Sequence, residues 1–130
     1  EENSVIFDIV KKKKLQNNFQ FIGHKPIEEI YKYYLSGCVL LFPSKAETFG
    51  LPLLEAARFG CKIIAGDTLF ANEILNNYDF YKCGFNNPKE WSCKMIEAIK
   101  ERSKSLPISH SNKHSPWFLM NSKLFKQISS

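Results

Sequence analysis

Residues 38–60 read Cys38-Val39-Leu40-Leu41-Phe42-Pro43-Ser44-Lys45-Ala46-Glu47-Thr48-Phe49-Gly50-Leu51-Pro52-Leu53-Leu54-Glu55-Ala56-Ala57-Arg58-Phe59-Gly60. The first five form a short continuous apolar run, suited to a strand buried on both faces, and Pro43-Ser44 closes it. Gly50 lets the backbone approach a ligand closely, and Pro52 fits the first position of a helix, where a missing N–H costs nothing. Residues 53–59 continue that helix, with Ala56 and Ala57 small enough to pack closely on a sheet and Gly60 as the C-terminal stop. The free N–H groups near residues 49–53 then face the carboxyl edge of the sheet, where a phosphate can bind without a dedicated cationic side chain.

Two carboxylates bracket that turn. Glu55 stands about one turn into the helix and Glu47 just before it, so both can flank one bound molecule, and carboxylates are good partners for sugar hydroxyls. The residue types also admit a plainer reading, in which Glu55 is a first-turn acid favoured by the helix dipole and Glu47 a solvated loop residue.

Outward from this segment, helix and strand patterns alternate. Helices are predicted at 5–14, 27–35 (opened by Pro26), 70–75 and 88–102, and strands at 19–22, 38–42, 62–65 and 80–83. Asn87 is a capping residue for the last helix, whose Trp91, Met95, Ile96 and Ile99 share one face. Such alternation predicts an α/β fold, a Rossmann-like parallel sheet with helices on both faces, and ligands of that architecture bind beyond the carboxyl ends of the strands. Residues 103–116, rich in Ser, Pro, Lys and His, read as a surface linker, and 117–130 as a second amphipathic segment. His110 and His114 lie four apart in that linker without carboxylate or Cys support, so no metal site is expected.

The segment Glu47 to Glu55 resembles the paired-glutamate motif of retaining glycosyltransferases of the GT-B fold, in their large family 4 group. The resemblance extends to Phe19-Gln20-Phe21-Ile22-Gly23, similar to the family's strand ending in glycine, and to Leu41-Phe42-Pro43-Ser44 ahead of the motif. Downstream, residues 55–65 are similar to the family's helix, glycine and next strand, and Asn72-Glu73-Ile74-Leu75 to its following short helix. It implies that residues 1–102 are part of the nucleotide-sugar-binding C-terminal half of a GT-B enzyme. The terminal segment 117–130 would pack back on that domain or cross toward the N-terminal one. Glu47 would be the catalytic glutamate, meeting the transferred sugar, and Glu55 would bind the donor ribose. Ser44 and the backbone of Phe49, Gly50 and Leu51 would meet the sugar and diphosphate, with Gly23 and His24 beside the base, although a polar loop residue after a strand explains His24 equally.

The implied donor is a UDP- or GDP-linked sugar with no further cofactor and no metal, and the acceptor a polysaccharide or lipid-linked glycan. Thr48 stands where the family often has Gly, Lys62 where Pro is common, and Thr68-Leu69-Phe70-Ala71 replaces a frequently glycine-rich turn. The family's Arg and Lys that neutralise the diphosphate come from an earlier segment than these residues contain, and the acceptor half is a separate domain. The chain is therefore expected to be a fragment, folded but inactive alone. A sugar-nucleotide epimerase on the same fold, and a non-catalytic nucleotide-sugar-binding or interaction module, are the competing functions.

Composition agrees with one globular domain: 130 residues, 44% hydrophobic and 14% aromatic. A net charge of +5 does not imply nucleic acid, because Lys11 to Lys14 form one run without interleaved aromatics, readable as a solvated helix end. Attraction to anionic lipid headgroups is the better functional reading, giving a cytoplasmic protein with peripheral contact at the inner membrane face. The longest apolar run is far short of the ~20 residues a membrane span needs. Cys38, Cys61, Cys83 and Cys93 show no C-x-x-C pairing and read as reduced core thiols.

Overall fold

The computed structural model describes residues 5–101; the expected linker at 103–116 and terminal segment at 117–130 lie outside them. In chain order the elements are α1 (Val5–Lys12), a 3-10 turn (Gln16–Asn18), α2 (Ile27–Leu35), β1 (Val39–Phe42), α3 (Leu51–Arg58), β2 (Lys62–Gly66), α4 (Leu69–Ile74), β3 (Tyr81–Cys83) and α5 (Pro88–Glu101). Between Tyr33 and Tyr34 the chain divides into two compact units.

In the first unit, α1 buries Val10 and sets Phe7 against Phe21, ring centroids 5.6 Å apart. The helix is shorter than its apolar pattern predicts. Lys13 and Lys14 leave it as a turn, with Lys14 at a left-handed φ of 56°, because a run of like charges repels along a helix end and the left-handed residue stops propagation. The strand expected at 19–22 is also corrected. Phe19 is extended (φ −125°, ψ 135°), but residues 19–22 join no sheet among the described residues. Backbone N–H and C=O groups need a neighbouring strand to form a ladder, and no strand is assigned among the described residues of this unit.

The second unit is built on a three-stranded parallel sheet in the order β1-β2-β3. Val39 pairs with Lys62 and Phe42 with Ala65, then Ile64 with Tyr81 and Gly66 with Cys83. Parallel neighbours require a crossover, supplied by α3 between β1 and β2 and by α4 between β2 and β3. The central strand is buried along its whole length. Ile64 packs with Cys83 and with Ala98 of α5, ringed by Val39, Tyr81 and Trp91. Ile63 and Ala65 alternate to the opposite face, and α3, which also packs on β1 and β2, buries Leu53, Ala56 and Ala57.

Two expectations change here. β1 is an edge strand of this sheet and Leu41 is exposed, so the apolar run 38–42 is not covered on both faces by the described residues. The inward stripe of α5 is Trp91 and Ala98, whereas Met95, Ile96 and Ile99 are exposed. A helix face is chosen by what it meets, and small Ala98 lets α5 approach Ile64 closely.

The helix ends follow their sequence signals. Gly60 (φ 71°) donates to Ala57 O (3.1 Å) and Cys61 N–H to Ala56 O (3.0 Å), the paired bonds of a glycine-terminated helix. Asn87 Oδ1 accepts from Glu90 N–H (3.1 Å), capping α5 as expected. Buried Lys62 is matched by Glu101 at 3.6 Å.

Candidate functional site

All three strands point their carboxyl ends at one edge, and the loops leaving them carry the polar groups of interest. From β1 the chain runs through Pro43, Ser44 and Lys45 to the loop 46–50. Ser44 Oγ–H donates to Ala46 O (2.9 Å), which fixes the turn out of the sheet. Glu47 is exposed and Phe49 is 68% exposed.

Gly50 holds the turn into the helix. It is the N-cap of α3 in the left-handed region (φ 54°, ψ 34°), with no side-chain cap, and its carbonyl accepts from Leu53 N–H (3.0 Å) and Leu54 N–H (3.4 Å). Leu51 therefore takes the first helical position and Pro52 the second, one residue later than the sequence predicts. A Cβ at residue 50 would meet Ile74 Cδ1 of α4, so the backbone angle calls for glycine and any larger residue would also have to push that side-chain end aside. The helix begins with N–H groups that no side chain caps, its positive dipole end next to the loop that holds Glu47.

Glu55 is half-buried in the second turn of α3. Desolvation holds its carboxyl above the usual carboxylate range, partly opposed by the Arg58 guanidinium. A carboxylate left short of water in this way gains from a partner that donates hydroxyl hydrogens. That physical environment separates it from Glu47, which stands in solvent.

The neighbouring loops complete the edge. After β2, Asp67 N–H donates to Cys83 O (3.0 Å), and Thr68 caps α4 by accepting from Ala71 N–H at 3.2 Å. Asn72 Nδ2 donates to Asp67 Oδ1 (2.9 Å) and Thr68 O (2.7 Å). After β3, the Phe85 ring covers Gly66 so closely that a Cβ there would strike it, and Lys45 Nζ lies 5.5 Å from that ring's centroid. Lys45 was missed by sequence reasoning. Its only sequence signal is its position three residues past a strand's carboxyl end, between Ser44 and Glu47.

Ser44, Glu47, Phe49, Gly50, Leu51 and Glu55 thus share one loop and helix at this edge. Gly23 and His24 belong to the first unit, where Gly23 takes a left-handed φ of 61° and both residues are exposed ahead of α2. Among the described residues no group of three or more His, Cys, Asp or Glu side chains converges as a metal site requires. Among the same residues no helix is long and apolar enough to cross a membrane.

Comparison with known proteins agrees with this geometry. The sequence is 32% identical over 103 residues to the UDP-N-acetylglucosamine--peptide N-acetylglucosaminyltransferase GtfA subunit of Streptococcus agalactiae, covering 75% of this chain and 20% of that protein. It is 25% identical over 76 residues to the O-antigen chain mannosyltransferase B of Escherichia coli, covering 58% of this chain and 20% of that protein. The chain thus spans about a fifth of the length of each of these relatives. Residues 1–114 match the family of glycosyl transferases group 1, and with a parallel α/β sheet that presents its loops, a glycine-capped helix and two glutamates at one edge, the chain belongs to that family.

Proposed function

We propose that this chain supplies donor-binding machinery of a retaining GT-B glycosyltransferase, taking a UDP- or GDP-linked sugar and serving its transfer to a glycan or lipid-linked acceptor. The observation that carries the proposal is the α3 N-terminus: Gly50 in the left-handed region, an uncapped first turn, Glu47 before it and half-buried Glu55 within it. The turn receives the diphosphate through backbone N–H groups and the helix dipole. Glu55 accepts hydrogen bonds from the ribose hydroxyls and Glu47 from hydroxyls of the transferred sugar, with Ser44, Phe49 and Leu51 lining the same edge.

Transfer breaks the bond between the anomeric carbon and the diphosphate oxygen and forms one to the acceptor oxygen. Negative charge therefore develops on the departing diphosphate, where oriented N–H groups and a cation are most effective. Both relatives are named as sugar transferases, which supports this reading over the epimerase. An acceptor-binding domain is the partner the reaction needs, because holding acceptor against donor is worth about 7–11 kcal/mol of barrier; the chain alone binds donor without transferring it. The protein works in the cytoplasm, with its basic surface near anionic lipid headgroups.

Titration with UDP, GDP and ADP followed by amide NMR shifts tests the site. Shifts concentrated at residues 47–55 support the proposal. Saturating nucleotide with no shift there refutes it and leaves the non-catalytic module.

A further inference from the structure

At the opposite edge of the sheet two thiols meet. Cys38 Sγ and Cys61 Sγ are 3.9 Å apart, although 23 residues separate them in sequence. Register brings them together: Val39 pairs with Lys62, so the residues one step earlier stand side by side where β1 and β2 begin. Neighbouring strands run about 4.8 Å apart, inside the ~4.4–6.8 Å span between Cα atoms that a disulfide bridges.

Their environments differ. Cys61 is 1% exposed and held on three sides. Its N–H donates to Ala56 O (3.0 Å), its carbonyl accepts from Tyr78 Oη (2.6 Å), and its thiol lies 3.4 Å from Tyr34 O. Cys38 is half-buried, so a small solute reaches it. The hydrogen-bonding contact between the two sulfurs holds the Cys38 thiol down at about 7, whereas the same contact and burial push Cys61 far up. Cys38 is thus the nucleophilic sulfur at neutral pH and Cys61 the buried proton carrier.

We propose that Cys38 and Cys61 form a reversible peroxide-sensitive dithiol, a modification site separate from the donor edge. Cys38 first gives its proton to solvent, and its thiolate attacks one oxygen of hydrogen peroxide; the O–O bond breaks, hydroxide leaves and takes up the equivalent of that released proton to become water, and Cys38 becomes a sulfenic acid, oxidised by two electrons. Cys61 sulfur then attacks Cys38 sulfur, the S–O bond breaks, and the departing hydroxide takes the Cys61 proton as water. One peroxide and two thiols give one disulfide and two waters. The bond closes a loop that contains the whole segment Glu47 to Glu55, restraining the unfolded chain around β1, α3 and β2 without touching the carboxyl edge.

The test uses the chain carrying Cys93→Ser, which removes the exposed thiol. It is treated with equimolar hydrogen peroxide, alkylated and digested without reductant for mass spectrometry. A peptide pair linked through Cys38 and Cys61, lighter by two hydrogens and released by dithiothreitol, is expected, together with a rise in Tm of several degrees that reductant reverses. Cys83→Ser should keep both signals, and Cys38→Ser or Cys61→Ser should lose both. Sulfinic acid at Cys38 with Cys61 still reduced, a link to Cys83 instead, or no cross-link at any peroxide excess overturns the proposal. The peptide map of the Cys93→Ser chain decides this even if a serine variant fails to fold.

Discussion

Ile74 of α4 occupies the space that a Cβ on Gly50 would need, so the turn that opens the motif helix is closed from behind by the next helix along the chain. The left-handed φ of Gly50 is thereby held by packing as well as by local preference. A rigid N-terminus is what an anion site requires, since N–H groups already aimed at the ligand need no reorganisation on binding.

Gly50→Ala is expected to destabilise the fold by about 2–4 kcal/mol, combining a left-handed alanine with an overpacked contact. In an Ile74→Ala background the same substitution should cost only about 1–2 kcal/mol, the backbone part alone. Urea denaturation of the four proteins measures this. Equal costs in both backgrounds would show that Ile74 does not confine the turn.

Glu55→Ala should weaken nucleotide binding by about 1–3 kcal/mol, the usual loss when a hydrogen bond to a charged group is removed. Glu47→Ala should leave bare nucleotide binding unchanged within a factor of two and lower turnover in an assembled enzyme. Calorimetric titration with nucleotide and with nucleotide-sugar separates the two. Equal losses on bare nucleotide would refute the division of roles.

The pH dependence of stability reports the Glu55 environment. Its pKa is raised in the folded state, so ionising it costs the folded protein more than the unfolded chain. Stability from this group is complete below the unfolded value near 4.5 and declines as pH rises through the folded one. Glu55→Gln carries no such charge. Without ligand it should be more stable than the parent at pH 7, by less than about 1 kcal/mol because the carboxyl is half in water, and the difference should vanish below about pH 4. Thermal melts at both pH values check the sign.

Donor affinity should be unchanged by EDTA. In the proposed site the diphosphate charge would be met by helix N–H groups, with Lys45, near Phe85, as an added cation. A fall of tenfold or more in nucleotide affinity on chelation would require a metal in the site.

The motif helix, its glycine stop and the strand after it were legible along the chain because their causes are local. Gly60 ends α3 through its own backbone angle, and Lys62–Gly66 forms a strand because four small or apolar residues follow a turn. The position of the candidate site followed from element order, since parallel strands leave their ends at one edge.

What the residues alone left undetermined depends on neighbours distant in sequence. Residues 19–22 have strand-like composition, yet a strand exists only where another chain segment offers its hydrogen bonds. The apolar pattern of α5 pointed to Met95, Ile96 and Ile99, but shape complementarity to Ile64 selected Ala98 and Trp91. Glu47 and Glu55 are the same residue type eight positions apart, and only burial against the second turn of α3 made one harder to ionise. Cys38 and Cys61 have no sequence spacing that marks them as a pair; the register of β1 on β2 places them together, because the crossover through α3 carries the chain from the carboxyl edge, where it left β1, back to the edge where β1 began.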